Sequence, residues 1–309
     1  MFYSFSGIHI ENPTLATDYK WESDQLKSTM TEGFTFFCMD EDGFNNAVPY
    51  EDDNNVAILL MGSSQMEAVN VGKYRNTGYL LGEMLPDKRV YNIGVSGHQL
   101  YNCVNNLSSA LSYYKPTEYV VIVTDSVDMD ADLMRQVVRG EYPRIPSYDS
   151  GLVYYVQKWI PAVKVLYKNI SDWKAMDAVK SVSKDTVVSQ DSSDSSDDQV
   201  AEVLDEFLNL IADLARDNHV RPIIVYQSPL SLDEDGQIAD ETDHKIERFV
   251  RVCEKNDIAF IDMTDSFVEL YEKEHRLPHG FVNTAVGSGH LNKYGHRVIA
   301  EEIAEHVAP

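Results

Sequence analysis

Basic residues are scarce in this chain: 26 Lys and Arg stand against 50 Asp and Glu, a formal net charge of −24 over 309 residues. A field of that sign repels phosphate backbones and anionic membrane surfaces, and no local run of Lys or Arg overrides it, so no nucleic-acid partner is expected. Cysteine is scarcer still. Cys38, Cys103 and Cys253 lie far apart with no C-x-x-C or Cys/His spacing, which implies neither a disulfide framework nor a zinc site. No apolar run approaches a membrane span, and the residues after Met1 lack the charged and apolar regions of a signal peptide. The expectation is a chain without membrane insertion, at the cell envelope if an anchor precedes it and cytoplasmic otherwise. The turn after the first long apolar run has neither G-x-G-x-x-G nor a Walker lysine, which argues against a nucleotide-binding domain and leaves no cofactor implied.

What is present is organised around Val56-Ala57-Ile58-Leu59-Leu60-Met61-Gly62-Ser63-Ser64-Gln65-Met66-Glu67. An unbroken apolar run ends in glycine and two serines, and Met66, Val69, Tyr74 and Leu80 then recur at near-helical spacing. This predicts a buried strand, a tight turn and a helix running towards Pro86. Ser64-Gln65-Met66-Glu67 also fits an S-x-x-E capping box, so Ser64 is a helix cap or a nucleophile at a strand's carboxyl end.

Further strands are predicted at 89–93, 119–124, 222–226 and 258–262, with helical periodicity at 100–114, 200–214, 241–255, 266–274 and after Lys293. Alternating strands and helices predict a doubly wound α/β/α three-layer sandwich of about five mainly parallel strands, flavodoxin-like in type. Residues 1–55 read as an N-terminal arm with a short edge hairpin closed by Asp42-Gly43, and residues 56–309 as the main domain. The alternation breaks over 129–199, predicting an insertion: 135–148 is mixed, 152–176 reads as core or a helical lid, and 181–198 as a disordered Ser/Asp loop. That loop lacks the Gly and closing Glu of an EF-hand, so no metal site is expected there.

Three strand ends carry candidate groups: Ser64, Gly97, and the Asp125 to Asp128 turn, while His290 precedes the last helix. Acyl transfer needs a hydroxyl, an imidazole to take its proton, and N–H donors for the oxyanion. Ser64 would attack, His290 would act as base and then acid, and the Ser64 and Gly97 amides would hold the developing charge. His296 lies six residues beyond His290, off the i, i+4 spacing of a shared metal face.

These residues resemble the SGNH or GDSL-type esterases and acyltransferases. Gly62-Ser63-Ser64 is similar to the Gly-Asp-Ser block, and Asn92-Ile93-Gly94-Val95-Ser96-Gly97 to the glycine block. Gly287-Ser288-Gly289-His290-Leu291-Asn292-Lys293-Tyr294-Gly295-His296 is similar to the Asp-x-x-His block with its Leu-Asn-x-x-Gly-His continuation. The resemblance covers about residues 55–130 and 200–309. It implies Ser64 as nucleophile, His290 as base, Gly97 as an oxyanion donor, and an acyl ester, often acetyl, on a carbohydrate or small alcohol as substrate. Two departures stand out. Val127 occupies the oxyanion-asparagine position, leaving Ser126 as the candidate third donor, and Gly287 stands where the triad acid belongs, leaving Asn283, Asp262 or a main-chain oxygen. The alternative is a non-catalytic carbohydrate-binding or scaffold protein that keeps the fold.

Overall fold

The computed structural model describes residues 9–10, 20–21, 27–29, 32–51, 55–142, 195–230, 232, 236–238 and 244–308. The expected Ser/Asp loop at 181–198, apart from its last residues, and the whole of 152–176 lie outside the described residues.

Five parallel strands form the central sheet: β5 (Ile58–Gly62), β6 (Val90–Asn92), β7 (Tyr119–Thr124), β8 (Arg221–Tyr226) and β9 (Ala259–Asp262), in the order β6-β5-β7-β8-β9. Their burial explains their composition. Successive side chains of a strand point to opposite faces, so a strand covered on both must be apolar throughout. Leu59 and Met61 of β5 and Val120 and Ile122 of β7 enter one core, whereas Ile58, Leu60, Val121 and Val123 enter the other.

The first core is covered by α3 (Leu100–Tyr114), α4 (Ala131–Val138), α5 (Ser195–Asp217) and α6 (His244–Lys255). The second is covered by α2 (Thr77–Met84), α7 (Thr264–Glu274) and α8 (Lys293–Val307). The α/β/α sandwich expected from the alternation is what forms. Phe207, Leu208 and Ile211 of α5 and Ile299 and Ile303 of α8 are fully buried, each stabilising the fold by about 1.5–3 kcal/mol. The strand order reverses at β5, where the chain passes to β6 on one side and returns to β7 on the other. Crevices outside the carboxyl ends of strands at such a reversal are where this architecture places ligands.

Three local expectations are corrected. The apolar pattern after Ser64 is not one helix. A single turn, α1 (Ser64–Glu67), ends at Ala68, which is left-handed at φ 54°, and α2 starts only at Thr77. Tyr74, one of the residues in that near-helical spacing, is exposed in the connection. Residues 131–138, which run into the stretch 135–148 expected to be mixed, form a regular helix that Asp130 caps through the amides of Asp132 and Leu133.

The third correction concerns the arm. Asp42-Gly43 does turn the chain, with Gly43 at φ 86°, but it closes a loop in which the amides of Gly43 and Phe44 bond to Asp40. The hairpin lies earlier: β3 (Lys27–Thr29) pairs antiparallel with β4 (Thr35–Phe37) as a separate two-stranded sheet, and Glu32 and Gly33 fall in its connection. A shorter pair, β1 (His9–Ile10) with β2 (Lys20–Trp21), precedes it. The arm is pinned to the sandwich by polar contacts. Tyr91 of β6 donates to Asp40 at 2.8 Å, the Asn45 side chain donates to Glu67 O at 2.8 Å, and Asn46 accepts from the Asn92 amide at 3.0 Å. Burial raises the Asp40 carboxyl above the usual carboxylate range, against those hydrogen bonds.

Candidate active site

At the exit of β5 two adjacent serines divide the work that one could have done. Ser63 is the N-cap of α1, its hydroxyl oxygen accepting from the Gln65 amide at 3.2 Å. Ser64 is therefore the first helical residue and not the cap, and its hydroxyl points elsewhere. The turn is tight because both neighbouring glycines are needed. A Cβ on Gly62 would sit 2.6 Å from Met66 Cγ, and one on Gly94 would sit 2.5 Å from the Glu67 amide nitrogen. The strand end after β6 thereby lies directly against α1, with the Asn92 side chain donating to Met66 O at 2.7 Å and Ser96 bonding the buried Glu67.

The second participant arrives from the loop before α8. Asn292 caps that helix through the Tyr294 amide and donates from its side chain to Leu277 O and Gly280 O, while the Gly280 amide donates to His290 O. The loop is thus fastened to residues 277–280. It is fastened to α1 as well, because Leu291 donates its amide to Gln65 Oε1 at 2.7 Å. His290 Nε2 lies 2.8 Å from Ser64 Oγ.

The other imidazole nitrogen meets a carboxylate that the sequence did not point to. His290 Nδ1 is 2.7 Å from Glu32 Oε2, and the His290 amide donates to the same oxygen at 2.8 Å. Gly289 makes the approach possible: its φ is 102°, and a Cβ there would lie 2.8 Å from that oxygen. An imidazole that donates from Nδ1 to a carboxylate presents an unprotonated Nε2 to the serine, which is the arrangement a general base requires.

The candidates for the acid role fall in other places. Asp262 sits at the end of β9 and accepts from Thr264 N at 2.9 Å and Thr264 Oγ1 at 2.6 Å, so it starts α7 and does not reach the imidazole. Asn283 accepts from the Gly33 amide at 2.7 Å, holding the residue next to Glu32 and not His290 itself. Ser126 is exposed, and both of its donors serve its own turn: the amide goes to Thr124 Oγ1 and the hydroxyl to Asp128 O. The Ser64 amide is the first of a helix, one of the donors that has no intrahelical acceptor, and Gly97 is left-handed at φ 82°.

Glu32, Gln65 and Gly289 were missed. Glu32 had no signal beyond a Glu-Gly pair at the head of an apolar run, because nothing in chain order relates it to a histidine 258 positions away. Two further histidines lie behind the loop and are structural. His279 pairs with Gln227 at 2.6 Å, and His296 meets the Thr77 hydroxyl at 2.9 Å, tying α8 to α2. Burial pushes His279 down to about 4 and His296 down to about 3, with the neighbouring histidines adding to both shifts. His296 turns to α2 while His290 turns to Ser64, and among the described residues no cluster of His, Cys, Asp and Glu could hold a metal.

No family model matches the chain, and no curated protein matches it. Solved structures do. The fold is similar to that of known esterases. An acetyl xylan esterase shares 14% identity with a TM-score of 0.45, over 81% of this chain and 98% of that one. A G-D-S-L-family protein from Desulfitobacterium hafniense shares 13% with a TM-score of 0.41, over 81% and 99%. A variant of an acetyl-xylooligosaccharide esterase from Geobacillus shares 14% with a TM-score of 0.39, over 82% and 94%.

Proposed function

We propose that this protein is a serine-dependent carboxylic ester hydrolase of the SGNH type, with Ser64 as nucleophile, His290 as general base and Glu32 as the carboxylate that orients it. The observation that carries the reading is the unbroken chain Ser64 Oγ–His290 Nε2, His290 Nδ1–Glu32 Oε2, at 2.8 and 2.7 Å.

Ser64 Oγ bonds to the ester carbonyl carbon as its proton passes to Nε2. The imidazolium so formed is stabilised by Glu32, and the carbonyl oxygen takes negative charge facing the amides of Ser64 and Gly97. Collapse of the tetrahedral species breaks the bond to the alcohol, which leaves with the proton from Nε2. Water then attacks the acyl-serine, gives its proton to Nε2, and the acid departs as Ser64 recovers its own. An acceptor alcohol in place of water would make the same site a transferase. An acyl group, often acetyl, on a carbohydrate or small alcohol is the substrate that the family resemblance implies.

The non-catalytic alternative drew on two departures, the missing acid before His290 and the missing oxyanion asparagine. Glu32 beside His290 weighs against the first, while both donors of Ser126 are taken up by its own turn. Ser64→Ala should abolish hydrolysis of an aryl acetate with little change in thermal unfolding, and wild-type activity in that variant would overturn the reading.

A further inference from the structure

Beside the hairpin connection lies a groove of about 1320 Å³, with Gly33, the residue after Glu32, on its edge. It exceeds the usual size of a small-molecule pocket, roughly 300–1,000 Å³. Its lining inverts the character of the chain. In a protein with 50 acidic residues, no Asp or Glu lines this groove among the described residues, whereas Lys73, Arg75, Arg276 and Lys293 do. Among the described residues none of these four is in a salt bridge. Three of them rest on rings instead: Lys73 over Tyr74 at 5.5 Å, and both Lys293 and Arg276 over Tyr294, at 4.8 and 5.2 Å.

The apolar surface is equally out of place. Phe34 is 58% exposed, Phe36 49% and Tyr74 61%, and all three line the groove. Exposed aromatic faces gathered in one depression mark a binding surface. Cations held over aromatic rings and unmatched by carboxylates keep their capacity to pair with an anion. Hydrogen-bonding groups at Thr35, Asn70 and Thr284 complete the walls.

We propose that this groove binds an acidic oligosaccharide, a chain of sugars carrying carboxylates. The aromatic residues would take the apolar faces of the rings, the polar side chains the hydroxyls, and the two cationic pairs the acidic groups. The proposal deepens the esterase reading and rests on it in one respect: a hydroxyl-rich polymer is what such a site would deacylate. Charge complementarity favours an acidic ligand, because the chain as a whole carries −24 whereas the described lining of the groove carries Lys73, Arg75, Arg276 and Lys293 and no Asp or Glu.

The test uses the full chain with Ser64→Ala, so that no ligand is consumed, and calorimetric titration with a galacturonate hexamer, xylohexaose and a hexaglutamate peptide. The acidic sugar should bind at least tenfold more tightly than either of the others, and more weakly in 0.3 M than in 0.02 M salt. Adding Lys73→Glu and Arg276→Glu should weaken it at least tenfold, and adding Phe36→Ala should weaken it without changing the salt dependence. Equal binding of xylohexaose overturns the charge argument, preference for the peptide overturns the sugar, and no binding of the galacturonate overturns the proposal. Lys73→Glu with Arg276→Glu on the Ser64 background should still hydrolyse a small aryl acetate at the wild-type rate. Loss of galacturonate binding beside intact aryl acetate hydrolysis, or the reverse, separates failure of the groove from failure of the esterase.

Discussion

Glu32 and His290 are 258 positions apart, yet one oxygen of the carboxylate accepts both from the imidazole Nδ1 and from the backbone amide of the same histidine. This double contact fixes the ring and the loop together. Glu32→Gln should therefore lower kcat by about 10²- to 10⁴-fold with little change in KM, as expected when the charge that orients and stabilises an imidazolium is removed. Glu32→Asp should retain part of the rate. Steady-state kinetics on an aryl acetate decides it, and an unimpaired Glu32→Gln enzyme would mean that the carboxylate is only a loop anchor.

Ser63 and Ser64 can be told apart by separate readouts. Ser63→Ala removes a cap and should cost about 1 kcal/mol of stability. A fluorophosphonate probe should still label that variant. Ser64→Ala should keep its unfolding temperature and refuse the label, and a labelled Ser64→Ala protein would move the nucleophile elsewhere.

Gly289→Ala tests whether the carboxylate's approach depends on a missing side chain. The new Cβ would sit 2.8 Å from Glu32 Oε2 on a backbone at φ 102°, a strain of about 1–3 kcal/mol. The expected result is a kcat at least about tenfold lower, together with a lowered melting temperature. Asn283→Ala, which removes the acceptor of the Gly33 amide, should give a smaller loss of rate. Full activity in Gly289→Ala would show that Glu32 has another way to reach the ring.

Acid should destabilise the fold through three buried histidines. Burial pushes His98 and His279 down to about 4 and His296 to about 3, from an ordinary 6.5. The unfolded chain then binds more protons between those values and 6.5, so stability is full above about pH 6.5 and falls as pH drops through that window. Each histidine contributes up to about 1.4 kcal/mol per pH unit. Asp40, whose carboxyl is raised by burial, works in the opposite sense, but it is one group against three. Thermal unfolding at pH 7 and pH 4.5 measures the balance, and a melting temperature that does not fall would contradict neutral burial of these rings.

Much of the fold was legible because a parallel sheet buried on both faces writes itself as apolar runs. β7 and α3 fall where the pattern put them, at Tyr119–Thr124 and Leu100–Tyr114. The pattern failed at Met66–Tyr74–Leu80, where near-helical spacing spanned a turn closed by left-handed Ala68. It failed again at Asp42-Gly43, where turn residues closed a loop around Asp40 and no strand pair.

By itself the chain determined the layers of the sandwich and the placing of an alcohol at a strand's exit and an imidazole just before the last helix. Local hydrophobic period and the order of a few short blocks carry that much, since both are properties of neighbours in sequence. Which of two serines caps the helix, and which acid among 50 supports the ring, were decided only by folding. Hydrogen-bond partners are selected by distance and direction in space, and an arm folded back over the sheet can satisfy them without leaving any spacing to read.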